Sequence, residues 1–286
     1  MWRIVSSCAL GILSINVCIP AQANDSLTAI DATNNTVVTA CDDDSWPPYV
    51  FKNKQADGTK VDGFSVEVIR EALALSGKTL QLSLLPWLRC QQALQNGLEY
   101  QLILGASYTN KRAEHFLLTN PYHTIGAELF YLHSGWPNGL NPKHPIDLAN
   151  AGVCAMRGFP VKNVQLDPSY VDTGHDNIQQ LVQKLYLGRC KVVLSGTEAI
   201  NSLVKELSSR TQKEKLRRLP MPWSPKTSYH ALINSHHPQA IALKTQLDEA
   251  LRSMEDSGRL NQIRQKWGLP KISSSIPYGT QKSKKM

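Results

Sequence analysis

Residues Gly105–Tyr122 read GASYTNKRAEHFLLTNPY. Just before them, the apolar triplet Leu102-Ile103-Leu104 runs into the small residues Gly105, Ala106 and Ser107. This predicts a buried strand that opens onto a turn with accessible backbone N–H groups. Thr109 is expected to cap a helix, because its hydroxyl can accept an orphan N–H of the first turn. Arg112 then projects near that helix start. Oriented amides, a helix dipole and a planar guanidinium together form a receptor for a carboxylate or another small anion. The competing reading makes Arg112 a surface helix arginine in a salt bridge.

Toward the N-terminus, Met1-Trp2-Arg3 is a short basic segment, residues 4–19 are largely apolar, and Ala21-Gln22-Ala23 is a small-x-small cleavage site. Residues 1–23 therefore read as a secretory signal peptide cut after Ala23, which places the product in the periplasm. The apolar run is too short and too interrupted by serine for a membrane span. About 260 residues would remain, enough for one large domain or two modest ones. Cleavage removes Arg3 and so lowers the formal charge of +8 by one. Much of the balance sits at the other end, where Lys282, Lys284 and Lys285 belong to a basic, flexible tail over residues 270–286. No basic stripe alternates with aromatic residues, so nucleic-acid binding is excluded as a reading.

Of the six cysteines, Cys8 and Cys18 lie in the leader, and Cys41, Cys90, Cys154 and Cys190 remain. An even number in an oxidising compartment invites two disulfides. Three pairings exist. One bridge in each half, Cys41–Cys90 and Cys154–Cys190, is the expectation; four buried free thiols is the alternative. No two of these cysteines have metal-ligand spacing, so neither a metal nor a cofactor is expected.

The rest of the chain alternates strand and helix patterns. Residues 36–40 read as a strand. DDDSWPPY (42–49) reads as a loop, because Pro47 and Pro48 remove ladder donors. Asp57-Gly58 is a turn signal. Residues 64–76 carry a helical period stopped by Gly77, residues 80–84 alternate as a strand, and a short helix is expected over 90–96. Beyond Tyr122 come strands at 127–133, 152–156 and 192–194. Helices are expected at 177–187, capped by Asp176, and at 198–208. A proline-rich return crossing follows over 216–228, then a strand at 229–234 and a long helical stretch from Pro238, broken at Ser257-Gly258 and ending at Trp267-Gly268. This is α/β grammar, with sheets covered by helices on both faces.

Several segments, in order, resemble the bacterial extracellular solute-binding proteins that serve polar amino-acid ABC transporters: DDDSWPPY with VDGFSVEVIREAL, LQNGLEYQLILGASYTNKRAEHFLLTNPY, PIDLANAGVCAMRGF, HDNIQQLVQKLYLGRCKVVLSGTEA and LDEALRSMEDSGRLNQIRQKWG. The resemblance runs from Thr36 to Trp267. It implies a two-lobed periplasmic-binding-protein fold of type II, each lobe a sheet flanked by helices, with two crossover strands. Lobe 1 would hold residues 36–124 and 229–269, and lobe 2 residues 125–228. It also implies a monomer that traps a small solute by hinge closure and serves a permease or a membrane sensor. Arg112 matches the arginine that holds the ligand carboxylate, and Ser107 matches a polar residue of the same turn beside Gly105. Trp46 and Trp87 match aromatic positions that stack on the ligand, with core packing as the competing reading. Asp43 fits an acidic cleft position.

The second half departs from the pattern. Gly158-Phe159-Pro160 stands where the family has a Gly-Thr pair, and Pro160 has no N–H to give. Gly196 stands where an aspartate takes the ligand ammonium, and Lys191 replaces a nearby aspartate. Glu198 is the nearest substitute. A carboxylate or aromatic ligand without the amine, or a short peptide, therefore fits better than a standard amino acid, and Arg157 and Lys191 could make the second lobe favour anions. Two other classes remain. One is a lyase-like or dehydratase-like enzyme using Glu198, Asp43 or His123. The other is a degenerate module that binds nothing. Neither a Gly-x-Ser-x-Gly elbow nor a His-Glu-x-x-His helix occurs, and no catalytic residue is assigned.

Overall fold

The computed structural model describes residues 36–43, 45–55, 58–97, 99–196, 198–200, 216–221 and 223–272. The expected signal peptide, the tail beyond residue 272, Asp57, and the expected helix beyond Ile200 lie outside the described residues. The chain opens with β1 (Val37–Asp43), β2 (Ser45–Trp46), β3 (Val50–Gln55), β4 (Gly58–Asp62), α1 (Phe64–Ala74), β5 (Thr79–Leu85), α2 (Trp87–Asn96) and β6 (Leu102–Ser107). It continues through α3 (Asn110–His115), β7 (Phe116–Leu118), β8 (His123–Ile125), β9 (Ala127–Leu132), β10 (Val153–Met156), β11 (Val171–His175) and α4 (Ile178–Tyr186). Then follow β12 (Val192–Gly196), β13 (Leu216–Pro220), β14 (Thr227–Asn234), α5 (Ala240–Asp256) and α6 (Arg259–Lys266).

These strands form two large sheets. The first has the order β5-β1-β6-β14-β7, with β8 also paired to β14, and the second has the order β11-β10-β12-β9-β13. A small third sheet, β2-β3-β4, builds one wall beside the first. Parallel strands run inward from one edge of each large sheet, β5-β1-β6 in one and β11-β10-β12 in the other. The chain passes between the sheets at Gly126, between β8 and β9, and returns between β13 and β14.

Burial explains why these segments became strands and helices. Val192 to Gly196 is buried at every position, as a strand covered on both faces requires. In α1, Val66, Val68, Ile69, Ala72 and Leu73 are buried against the first sheet and the C-terminal helices, while Glu67 and Glu71 meet Arg259 at the helix rim. Apolar clusters lie on both faces of each sheet. Among the described residues no helix is long and apolar enough to cross a membrane.

Several expectations are corrected. The helix expected at 90–96 begins at Trp87, because Pro86 at the cap has the extended backbone and fixed φ that suit a helix entry. Asn177, not Asp176, caps α4, its side chain accepting from Gln180 N. Ser45 and Trp46 pair with Phe51 and Val50, so the DDDSWPPY segment contains a strand. Residues 216–220 are not part of the return crossing: β13 pairs along β9 in the second sheet. Disulfides join Cys41 to Cys90 and Cys154 to Cys190, one against each sheet.

One buried cation anchors the outgoing crossing. Arg264 on α6 is 0% exposed. Its Nη2 donates to the carbonyl of Tyr122 at 2.8 Å, just before β8, and also pairs with Glu255 at 3.3 Å; its Nη1 donates to Asn261. Removing the guanidinium strands both a buried carbonyl and a carboxylate. Arg264→Ala is expected to lower unfolding stability by about 3 kcal/mol. Urea denaturation at neutral pH checks this, and a loss within error of zero would show that the crossing is held by packing alone.

Candidate functional site

The carboxyl ends of the central strands in both sheets face one cleft, the position at which open α/β sheets bind ligands. The first sheet and its helices supply Asp42 and Asp43 from β1, Trp46 and Tyr49, Ser65 on α1, Trp87 at the start of α2, Gly105 to Ser107 at the end of β6, Arg112 on α3, and Tyr229 on β14. The second supplies Met156 to Pro160, where the chain leaves β10. About 580 Å³ of space lies between these residues, counted out into the open solvent at the mouth, and the enclosed part is much smaller.

Arg112 gets there through a short local chain of causes. Thr109 Oγ1 accepts from Arg112 N at 3.1 Å and starts α3. The side chain folds back toward the strand end, where Nη1 donates to Ser107 O at 2.8 Å and to Ser107 Oγ. The guanidinium carbon lies 5.3 Å from the Trp87 ring centroid, a cation–π distance. Arg112 is 8% exposed. Among the described residues no carboxylate lies within ion-pair distance of it, and its Nε and Nη2 donate to no protein atom. Burial lowers its pKa from the usual arginine value, and the Tyr229 ring beside it acts the other way.

Some of the strand-end amides are already used: Leu104 N and Gly105 N donate to Asp42 Oδ2, and Tyr108 N donates to Ser228 O across the β6–β14 edge. Asp42, which the sequence reading passed over, is 4% exposed on the cleft floor. Burial pushes its carboxyl up to about 7, while three backbone N–H donors, from Asp43, Gly105 and Leu104, pull the other way. Tyr229 and Ser65 were also missed. Tyr229 opens the expected strand between Ser228 and His230, with no local pattern to mark it, and Ser65 reads as an ordinary helix start.

The sequence-derived residues fall into two groups. Arg112, Ser107, Gly105, Asp43, Trp46, Trp87 and Phe159 line the cleft. Glu198 does not: its carboxylate accepts from Tyr49 Oη at 2.9 Å, and burial raises its pKa. His123 sits behind the same tyrosine, with Nε2 3.1 Å from Tyr49 Oη, and burial pushes it down to about 3. Lys191 precedes β12 at the end opposite Gly196, and Arg157 Nε bonds Asp176 at 2.9 Å, so neither is an unpaired cation aimed at the ligand space.

Two glycines define how closely the sheets approach. A Cβ on Gly196 would lie 2.8 Å from Ile125 Cγ2, so the aspartate that the family places there has no room in this packing. Gly158 has φ of +81°, and a Cβ on it would lie 3.0 Å from Trp87 Cδ1 across the cleft. Hydrogen bonds among the described residues also span the sheets, from Tyr49 to Glu198 near the crossings and from Asn163 Nδ2 to Tyr108 O at 2.7 Å near the mouth. One group among the described residues has metal-ligand spacing, Cys154, Cys190 and His175, with donor atoms all within 4.8 Å. Its two sulfurs are joined to each other and are not ligands as they stand.

Two α/β sheets opposed across a cleft have the architecture of the periplasmic-binding-protein class. The sequence profile of the bacterial extracellular solute-binding proteins, family 3, matches residues 38–270, and the chain belongs to that family. No curated protein matches its sequence significantly. Among solved structures, the amino-acid transporter substrate-binding protein AbpA of Streptococcus pneumoniae, bound to L-arginine, is 18% identical, with a TM-score of 0.68 over 82% of this chain and 97% of its own. The arginine-, lysine-, histidine-binding protein ArtJ of Geobacillus stearothermophilus is 18% identical, with a TM-score of 0.67 over 80% of this chain and 94% of its own. A histidine kinase sensor domain with similarity to periplasmic binding proteins is 19% identical, with a TM-score of 0.66 over 81% of this chain and 95% of its own. At these identities the likeness is one of fold.

Asp42 and His123 titrate in opposite senses. The folded Asp42 carboxyl keeps its proton up to about 7, against 3.8 ordinarily, so its contribution to stability is full below pH 3.8 and is lost as pH rises through 7. The folded His123 stays neutral down to about 3, against 6.5 ordinarily, so its contribution is full above pH 6.5 and is lost as pH falls toward 3. Relative to wild type, Asp42→Asn is expected to gain stability steadily from about pH 4 to 7, and His123→Gln to gain as pH falls from about 6.5 to 4. Urea midpoints across a pH series measure both, and curves parallel to wild type would contradict the assignment.

Proposed function

We propose that this protein is a non-catalytic receptor that captures a small carboxylate-bearing solute, an amino acid or a related acid, in the cleft between its two sheets. Arg112 carries this reading. A guanidinium at 8% exposure, without a carboxylate partner among the described residues, is costly in the protein alone. An anionic ligand pairing bidentately with its Nε and Nη2 offsets that cost. Trp46, Trp87 and Phe159 supply flat apolar contact for the rest of the solute. Any cationic group on the solute is met by the Asp43 side of the cleft, because β12 ends in Gly196 and Glu198 is engaged by Tyr49. The α-ammonium of an amino acid therefore contributes less than in relatives with an acid at the end of that strand.

The two lobes, residues 36–124 with 229–269 and residues 125–228, close over the solute about the crossings at Gly126 and before β14. The monomer works in the periplasm after its leader is cut behind Ala23. It hands the solute to an ABC permease or presents it to a membrane sensor, and the structural likeness to both transporter receptors and a kinase sensor domain is compatible with either use.

Thermal-shift measurements with matched sets test the reading: an α-amino acid, its deaminated acid and its carboxamide. At 100 times Kd a ligand selective for the folded chain adds about 2.7 kcal/mol of stability. The acid is expected to raise Tm, loss of the amino group to change little, and the carboxamide to do nothing. Arg112→Ala is expected to remove the shift while leaving the unliganded protein folded. A shift that survives Arg112→Ala removes this residue from the site.

A further inference from the structure

The second disulfide differs from the first in what surrounds it. Cys41 and Cys90 are each 0% exposed, within an apolar cluster that includes Leu94, Ile103 and Phe116. Cys41 Sγ lies 3.4 Å from the carbonyl oxygen of Cys90, a contact and not a hydrogen bond, because a disulfide sulfur carries no proton. Cys154 and Cys190 are also buried, at 4% and 2%, but a polar group stands beside them. His175, at the end of β11, is 2% exposed, and its Nε2 lies 3.9 Å from Cys190 Sγ.

The tautomer of His175 follows from its other contact. Lys184 Nζ, on α4, lies 2.7 Å from His175 Nδ1. An ammonium can only donate, so Nδ1 accepts, and the proton of the neutral ring sits on Nε2. That N–H points between Cys190 Sγ and Asp172 Oδ2, the latter at 3.3 Å. With Nε2 protonated and both sulfurs in a covalent bond, the cluster is arranged for thiolate chemistry rather than for holding a metal. The Asp172 carboxyl is held below its usual range, first by the Gly174 N–H, and the Lys184 ammonium and the His175 N–H act in the same direction.

We propose that Cys154–Cys190 is a thiol-exchange site, opened by a low-molecular-weight thiol that attacks Cys154 and expels Cys190 beside His175. The attacking thiol first releases its proton to solvent. Its sulfur electron pair then forms a new S–S bond to Cys154 Sγ, and the electron pair of the Cys154–Cys190 bond leaves on Cys190 Sγ as a thiolate. His175 Nε2–H donates to that thiolate, and the Lys184 ammonium stands behind the ring. A leaving thiolate stabilised in this way departs faster. A second thiolate then displaces Cys154 and yields a dimeric disulfide of the small thiol, so two electrons pass from the thiols to the protein. The site lies outside the solute cleft, yet it borders the cleft's framework: Cys154 is two residues before Met156, and His175 O accepts from Arg157 N at 2.7 Å.

The test uses the folded full-length chain with graded dithiothreitol, quenched by alkylation and read by peptide mass. The expected result is that Cys154 and Cys190 are labelled at lower reductant and sooner than Cys41 and Cys90. With limiting glutathione, the adduct is expected on Cys154. His175→Gln and Lys184→Met are each expected to slow opening about threefold or more, with folding confirmed by an unchanged near-UV spectrum. Lys184→Met carries the test if His175→Gln does not fold. Opening of Cys41–Cys90 first, a glutathione adduct on Cys190, or wild-type rates in the folded variants would each overturn the proposal.

Discussion

A positive charge held inside a cleft sets the terms for this protein. Arg112 receives hydrogen-bond acceptors from Ser107 and the face of Trp87, but no opposite charge among the described residues. Desolvating a guanidinium without an anion costs several kcal/mol, and two neutral acceptors offset only part of that. The cost is borne at one spot because the surroundings are over-determined. Thr109 starts α3, β6 and β14 are paired beside it, and the Cys41–Cys90 bridge ties β1 to the helix that carries Trp87. Other charges near the cleft are met locally: Arg157 pairs with Asp176, and burial favours the neutral Asp42 carboxyl against the pull of its backbone donors. Arg112 and Asp43 both line the cleft from the first sheet and its helices.

Among the described residues, the two sheets are bridged by hydrogen bonds from Tyr49 to Glu198 and from Asn163 to Tyr108, by Trp87 against Gly158, and by Trp46 packed on the apolar cluster of the second sheet. Each hydrogen bond is worth about 1 kcal/mol net. On the proposed reading, a ligand that touches Arg112 and residues 156–160 together would favour the arrangement that brings the two sheets to it.

The same strand ends explain why Asp42 and His123 have unusual protonation behaviour without being placed as reactants. Asp42 accepts the amides of Leu104 and Gly105 and so pins β6 against β1. His123, at the outgoing crossing, supports Tyr49 from behind. Both are buried, Asp42 near the end of β1 and His123 on β8 just before the crossing, and burial disfavours their charged forms.

Much of this was legible in the chain. Apolar runs bounded by glycine and proline located most strands and helices, since burial periodicity is a local property. The Ser-x-Thr turn before Arg112 announced its own cap, because capping spans only three residues. What the sequence could not carry were relations between distant segments. Pro86 moved the start of α2 forward and brought Trp87 over Arg112. Residues 216–220 joined the second sheet because β9 offered an edge, which no local pattern reveals. Asp42 looked like one of three loop acids until the amides of β6 closed on it. Glu198 looked like a substitute ligand acid until Tyr49 engaged it. Gly196 looked like a lost aspartate, and only the packing of Ile125 shows that no side chain fits there. Sequence alone determined the elements, the capped arginine and the family resemblance, because these depend on neighbours along the chain. Tertiary structure alone decided which charges are paired and which face the cleft, because pairing depends on approach through space.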